Sequence, residues 1–100
     1  MPISLLSAPT NLGLRPPVAT ATPGCAKAPE VLRAAGLYAR LDAADAGLVA
    51  CPRYVDDALP GRLRNQDAIL DYSTRLADRL GALIESGQQP LVLGGDCSLL

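Results

Sequence analysis

Near the end of the sequence, Gly94-Gly95-Asp96-Cys97-Ser98 concentrates polar, nucleophilic and metal-capable groups within a few residues. Two glycines let a backbone turn tightly and approach a ligand closely. Asp96, Cys97 and Ser98 then stand at the start of what the pattern predicts to be a further helix, whose first amides favour negative groups. The plainest reading is a strand-to-helix turn in which Asp96 or Ser98 caps the helix. Asp96 suits such capping or the bracing of a loop. Cys97 admits three readings: a buried structural thiol, a metal ligand, or a nucleophile activated by the helix N-terminus. The last is the weakest, because the sequence has no histidine to take the thiol proton. That absence also removes the commonest general base and the commonest transition-metal ligand. Cys25 and Cys51 complete an odd set of three cysteines, far apart and never in a C-x-x-C pair. Reduced thiols are therefore expected, not a disulfide framework or a zinc knuckle. Cys51 reads as a small apolar residue and Cys25 as a loop thiol.

The elements that must position this segment alternate along the chain. Ile3 to Ala8 is a short apolar run closed by Pro9, of strand length. Thr10 to Ala28 carries Gly13, Pro16, Pro17, Pro23 and Gly24, which is loop chemistry, and a loop this long suits a site lining or a subunit contact. From Pro29, the residues Val31, Leu32, Ala35, Tyr38 and Leu41 recur at helical spacing, with Pro29 and Glu30 suited to the first turn. Leu48 to Cys51 is a second strand expectation, stopped by Pro52, and Val55 to Gly61 reads as a loop. Ile69, Tyr72, Leu76, Leu80 and Leu83 hold one face of a long helix, with Asn65 as its N-cap, Asp67 in its first turn and Gly87 as the left-handed residue that ends it. Leu91-Val92-Leu93 then reads as a strand covered on both faces.

Strand, helix, strand, helix, strand is the order of a parallel α/β sheet with right-handed crossovers. In such sheets the ligand site lies beyond the carboxyl ends of the strands. That edge would carry Pro9-Thr10-Asn11, Pro52-Arg53 and the Gly94–Ser98 segment. The first strand is followed by Pro-Thr-Asn-Leu-Gly-Leu-Arg, which matches neither G-x-G-x-x-G nor the P-loop, so a nucleotide-binding domain is set aside.

Composition narrows the function classes. With 49% hydrophobic residues in 100, the chain is globular in character and sized for one small domain. A formal net charge of -1 supplies no field for phosphate polymers or anionic lipid, and the only aromatic residues are three Tyr, so stacking platforms for bases are missing. No nucleic-acid or membrane partner is expected. The N-terminus has no basic stretch and too short an apolar run for a signal peptide, which points to the cytoplasm.

The run from Gly87 through Pro90, Leu91-Val92-Leu93 and Gly94-Gly95-Asp96-Cys97-Ser98 to Leu99-Leu100 resembles the first signature of the ureohydrolase family, which holds arginases, agmatinases and formimidoylglutamases. In that family an apolar strand leads into Gly-Gly-Asp-His-Ser, the His being a ligand of a paired manganese centre. The resemblance extends to the first strand with Pro9, to Ala28-Pro29-Glu30-Val31-Leu32-Arg33 followed by Ala35-Gly36-Leu37, and to Asn65 leading the long helix. It implies a three-layer αβα, mostly parallel, arginase-like fold, of which residues 1–100 would be the N-terminal portion of a single domain. It further implies metal-dependent hydrolysis of C–N bonds in linear amidines, a small guanidino or formimino substrate, and homo-oligomeric assembly. Two departures stand out. Cys97 occupies the position of the His, so the one metal ligand carried over is a thiolate, a donor that favours zinc, iron or copper(I) over manganese. The family's Asp-x-His-x-Asp and Asp-x-Asp ligand motifs do not occur in these 100 residues. The chain alone is thus expected to be catalytically incomplete. The alternative is a non-catalytic pseudo-enzyme, subunit or binding protein of the same fold.

Overall fold

The computed structural model describes residues 2–13, 24–55, 60–63 and 65–99. Most of the expected loop between Thr10 and Ala28 and part of the loop between Val55 and Gly61 lie outside these, as does Leu100 of the expected last helix. The order is β1 (Ile3–Ala8), α1 (Gly24–Ala34), α2 (Leu37–Leu41), β2 (Ala44–Leu48), α3 (Gln66–Glu85) and β3 (Gln89–Gly94), with a single 3-10 turn over Cys97–Leu99. The three strands form one parallel sheet in the order β2-β1-β3. β1 pairs with β3 in unbroken register from Ile3 opposite Gln89 to Ala8 opposite Gly94. Against β2 the register shifts between Leu5 and Ser7.

β1 is central, and every residue from Ser4 to Ala8 is buried. Its alternation divides the molecule into layers, because successive side chains point to opposite faces. Leu6 and Ala8 join Leu12, Val49, Tyr72 and Leu76 in the main core, which places α3 on that face. On the other face the Ser7 hydroxyl lies 3.5 Å from the Tyr38 hydroxyl of α2. Helices on both faces of a parallel sheet make the three-layer α/β arrangement. The end of α3 follows its composition: Gly87 sits at φ 82, its N–H bonds the carbonyl of Ile84, and the N–H of Gln88 bonds that of Leu83. This pairing is the Schellman closure that a glycine permits.

Four expectations need correction. α1 begins at Gly24, so Pro29 lies inside the helix, buried, and not in its first turn. Gly24 and Pro23 read as loop residues, but Cys25, Ala26, Lys27 and Ala28 tolerate the helix, and the ring costs only one backbone bond near its start. The amphipathic run to Leu41 is two helices, because Gly36 at φ 92 turns the chain before α2. The second strand is Ala44–Leu48, not Leu48–Cys51. As an edge strand among the described residues it needs no apolar run: Arg33 pairs with Asp45 at 2.8 Å, and Arg79 donates to the carbonyls of Ala46 and Leu48. Val49 follows it into the core while its N–H reaches the Ser7 carbonyl. Finally, β3 is contacted by helices α1 and α3 but covered unevenly: Leu93 is buried, while Leu91 on the same face is 42% exposed.

Candidate functional site

At the carboxyl edge of the sheet the chain leaves β1 through Pro9-Thr10-Asn11-Leu12-Gly13 and leaves β3 through Gly95-Asp96-Cys97-Ser98. The register fixes how the two meet. Ala8 faces Gly94, and two residues further on Thr10 faces Asp96. The Asp96 N–H bonds the Thr10 carbonyl at 3.2 Å, extending the strand pairing by one step. The Thr10 hydroxyl, fully buried, donates to Asp96 Oδ1 at 2.7 Å. The Gly13 N–H donates to Asp96 Oδ2, also at 2.7 Å. Ser98 closes the group from the other side, its hydroxyl 2.9 Å from Oδ1 and its N–H 3.4 Å from Oδ2.

Both oxygens of Asp96 are therefore occupied by donors. Burial works to raise the pKa of this carboxyl and is the largest single influence, but the bonds from Thr10, Ser98 and the Gly13 N–H together outweigh it and hold the group below the ordinary carboxylate range. Asp96 is an ionised acceptor committed to its neighbours, which makes it a brace and not a general base. Gly13 is part of that brace for steric reasons as well: a Cβ there would lie 2.5 Å from Asp96 Oδ2 and 3.2 Å from the Ser98 Cβ.

Asn65 is a second brace to the same loop. It precedes α3, as an N-cap would, but sits at φ 57 with no capping bond from its side chain. Its amide instead donates to the Leu12 carbonyl at 3.0 Å and accepts from the Val55 N–H at 2.9 Å. Asn65 thus stands at the N-cap position that the sequence indicates, its carbonyl accepting from the Ile69 N–H, but its side chain does not make the capping bond. A buried amide that satisfies two loop backbones has more to gain than one that satisfies a helix end.

All three cysteines border this edge. Cys25, in the first turn of α1, places its thiol 3.7 Å from the Thr10 carbonyl. Cys51 donates to the Pro52 carbonyl at 3.3 Å and lies 3.9 Å from Asn11 Oδ1. Burial pushes the Cys51 thiol up, and the backbone N–H of Asn11 opposes that only in part, so it stays protonated. Cys97 is exposed on its 3-10 turn in this chain. The sequence singled out Asp96 and Cys97, placed Thr10 on the same edge without a role, and read Gly13 only as a loop residue. The available signal for Gly13 was its position a few residues beyond a strand end, where the backbone of a neighbouring strand's loop must pass close.

The described residues do not make a manganese centre. Among the described residues no group of three or more Cys, Asp or Glu side chains could hold a metal ion. Asp96 has its lone pairs engaged. Cys97 is left as a single free donor, and a thiolate is a poor match for manganese.

A parallel sheet with helices on both faces, a Gly-Gly-Asp turn at the carboxyl end of one strand and a braced loop at the end of its neighbour define an α/β protein of the type whose sites lie at that edge. No family model matches the chain. Comparison with known proteins narrows the type. The arginases of Staphylococcus aureus strains COL and N315 are each 33% identical over 105 residues, covering 97% of this chain and 33% of the relative. The crystal structure of Bacillus caldovelox arginase matches with a TM-score of 0.80 at 30% identity, over 98% of this chain and 33% of that one. The arginase from Bacillus subtilis strain 168 matches at 0.77 and 30%, over 98% and 31%. The chain belongs with the N-terminal segment of the arginase, or ureohydrolase, family. It spans about a third of the length of the curated relatives it matches. No helix among the described residues is long and apolar enough to cross a membrane.

Proposed function

We propose that these residues form the N-terminal portion of a single ureohydrolase-like domain, in a cytoplasmic hydrolase acting on C–N bonds of linear amidines, with guanidino or formimino compounds as substrates. The observation that carries this reading is the Gly94-Gly95-Asp96-Cys97-Ser98 turn at the carboxyl end of β3, braced through Asp96 to the loop after β1. That is where the family signature would have to stand to face a substrate. Cys97 is the one side chain of this chain that we assign to the metal centre. Its thiol is exposed and has no competing role in the brace. The other ligands would come from Asp-x-His-x-Asp and Asp-x-Asp motifs in a longer polypeptide, and the metal, manganese in the family, would be shifted toward zinc by the thiolate.

The same residue favours a second reading, a pseudo-enzyme or subunit of this fold in which the altered ligand position has ended catalysis. The reading frame beyond Leu100 separates the two first. If both ligand motifs follow, the purified full-length protein, loaded with manganese or zinc, should hydrolyse arginine, agmatine or formimidoylglutamate. Release of neither urea nor formamide from any of them, with metal bound, would leave the non-catalytic reading.

A further inference from the structure

We propose that Asp96 is a positioning residue, a clasp that ties the loop after β1 to the turn after β3 and so holds residue 97 in one orientation at the carboxyl edge of the sheet. The functional part of the proposal rests on the hydrolase reading above; the clasp itself does not. Residue 97 has no bonding of its own that would fix it, since its side chain is exposed. It is fixed from both sides. Asp96 before it takes bonds from Thr10 and from the Gly13 N–H, and Ser98 after it returns its hydroxyl to the same carboxylate. The Thr10 hydroxyl and the Gly13 N–H come from the far strand's loop, so that loop and the turn move as one body.

The fit is close enough to specify residue types. At position 13 any side chain would collide with the carboxylate oxygen, 2.5 Å from an ideal Cβ. At position 96 an amide could keep the Thr10 bond but its nitrogen could not accept from the Gly13 N–H. At position 10 the hydroxyl is wholly buried, so removing it leaves Asp96 Oδ1 short of a donor inside the protein. A two-residue hydroxyl-to-carboxylate contact would serve stability anywhere. Three residues from two segments meeting on one carboxylate, with the site residue set between that carboxylate's own residue and Ser98, serve placement.

Residue-resolved amide hydrogen exchange on the full-length protein tests the clasp, with Asp96→Asn, Thr10→Val and Thr10→Ser compared against the unsubstituted chain. Thr10→Val should speed exchange about tenfold or more at Ser98, whose N–H and hydroxyl bond Asp96, and at Gly13, leaving Leu5 to Ala8 and α3 unchanged. Asp96→Asn should do the same, and Thr10→Ser should keep both amides slow. An unmoved Ser98 in Thr10→Val, or faster exchange throughout the molecule, overturns the clasp. If the unsubstituted protein hydrolyses a guanidino substrate, Asp96→Asn should lower kcat about tenfold or more with the strand amides still protected; an unchanged kcat overturns the positioning role. If the unsubstituted protein hydrolyses none, the hydrolase reading fails by itself and exchange at Ser98 and Gly13 alone decides the clasp.

Discussion

Removing the hydroxyl of Tyr72 should change the stability of the protein by an amount that reverses sign with pH. Tyr72 is 2% exposed, packs with Leu6, Ala8, Leu12, Val49 and Leu76, and donates its hydroxyl proton to the Val49 carbonyl at 2.6 Å. Tyr72→Phe keeps the ring in place and deletes that bond, which costs roughly 1–2 kcal/mol near neutral pH because the Val49 carbonyl is left buried without its donor. Burial, with a smaller contribution from Cys51 and opposed by Arg75 over the ring, pushes the Tyr72 hydroxyl up from 10.0 to about 12. The folded state therefore holds this proton more tightly than the unfolded state. Below the unfolded value both states are protonated and the stabilisation is fully present. As pH rises from about 10 to about 12 the unfolded state alone ionises, and about 3 kcal/mol is lost. Phe has no proton to lose. Urea midpoints of the full-length protein and of Tyr72→Phe, measured side by side, should favour the unsubstituted protein at pH 9 and the variant by roughly 1 kcal/mol near pH 12. Parallel curves through that window would refute the reasoning, because they would mean the hydroxyl is not the buried donor on which it depends.

A polypeptide of these 100 residues, supplied with manganese, should release no urea from arginine above a blank, since it offers at most Cys97 to a centre that needs several carboxylates and imidazoles; release above the blank with contaminants excluded would contradict this. The same polypeptide should fold poorly by itself, because Val31, Leu70, Ile84 and Leu91 are exposed and the outer edge of β3 is unpaired among the described residues. A cooperative thermal transition from a soluble monomer would count against that. In a longer protein carrying the remaining ligands, Cys97→His should raise manganese occupancy and amidine hydrolysis, as imidazole restores a donor suited to that metal. Equal occupancy in both proteins, read by metal analysis after loading, would show that Cys97 is not the weak position.

How much of this was legible in the sequence differs between elements for physical reasons. α3 was readable because its apolar face, Asp67, Gly87 and Asn65 at the N-cap position all point to one long helix, though the Asn65 side chain bonds the loops and not the helix end. β1 and β3 were readable as apolar runs bounded by Pro9 and by Gly94-Gly95. β2 was not, since Ala44-Asp45-Ala46-Gly47-Leu48 alternates only small residues and one Leu with Asp and Gly and holds no β-branched or aromatic residue, while Arg33 and Arg79 from two helices brace it. Pro29 misled in the same way: local preference put it at a helix start, while the packing that buries it carried the helix five residues further back.

The site shows the limit of local reading more sharply. Asp96 and Cys97 announce themselves because they follow a strand and a pair of glycines, but two of the residues that hold Asp96, Thr10 and Gly13, lie more than eighty positions away and have no motif of their own. They become derivable once one further fact is added, the register of β1 against β3. In a parallel pair, residues equally far past a matched pair stay opposite one another as long as the strands run on. With Ala8 opposite Gly94, Pro9 falls opposite Gly95 and Thr10 opposite Asp96, which is the pairing that the backbone and the hydroxyl both adopt. Gly13 then follows from sterics, because a loop leaving β1 must cross the carboxylate at the end of β3 with no room for a Cβ. Register is the quantity that sequence pattern specifies least in a strand buried on both faces, where no alternation marks which side chain faces which layer. The clasp could not be read from the sequence because it depends on that register, and it becomes a necessary consequence of the fold as soon as the register is set.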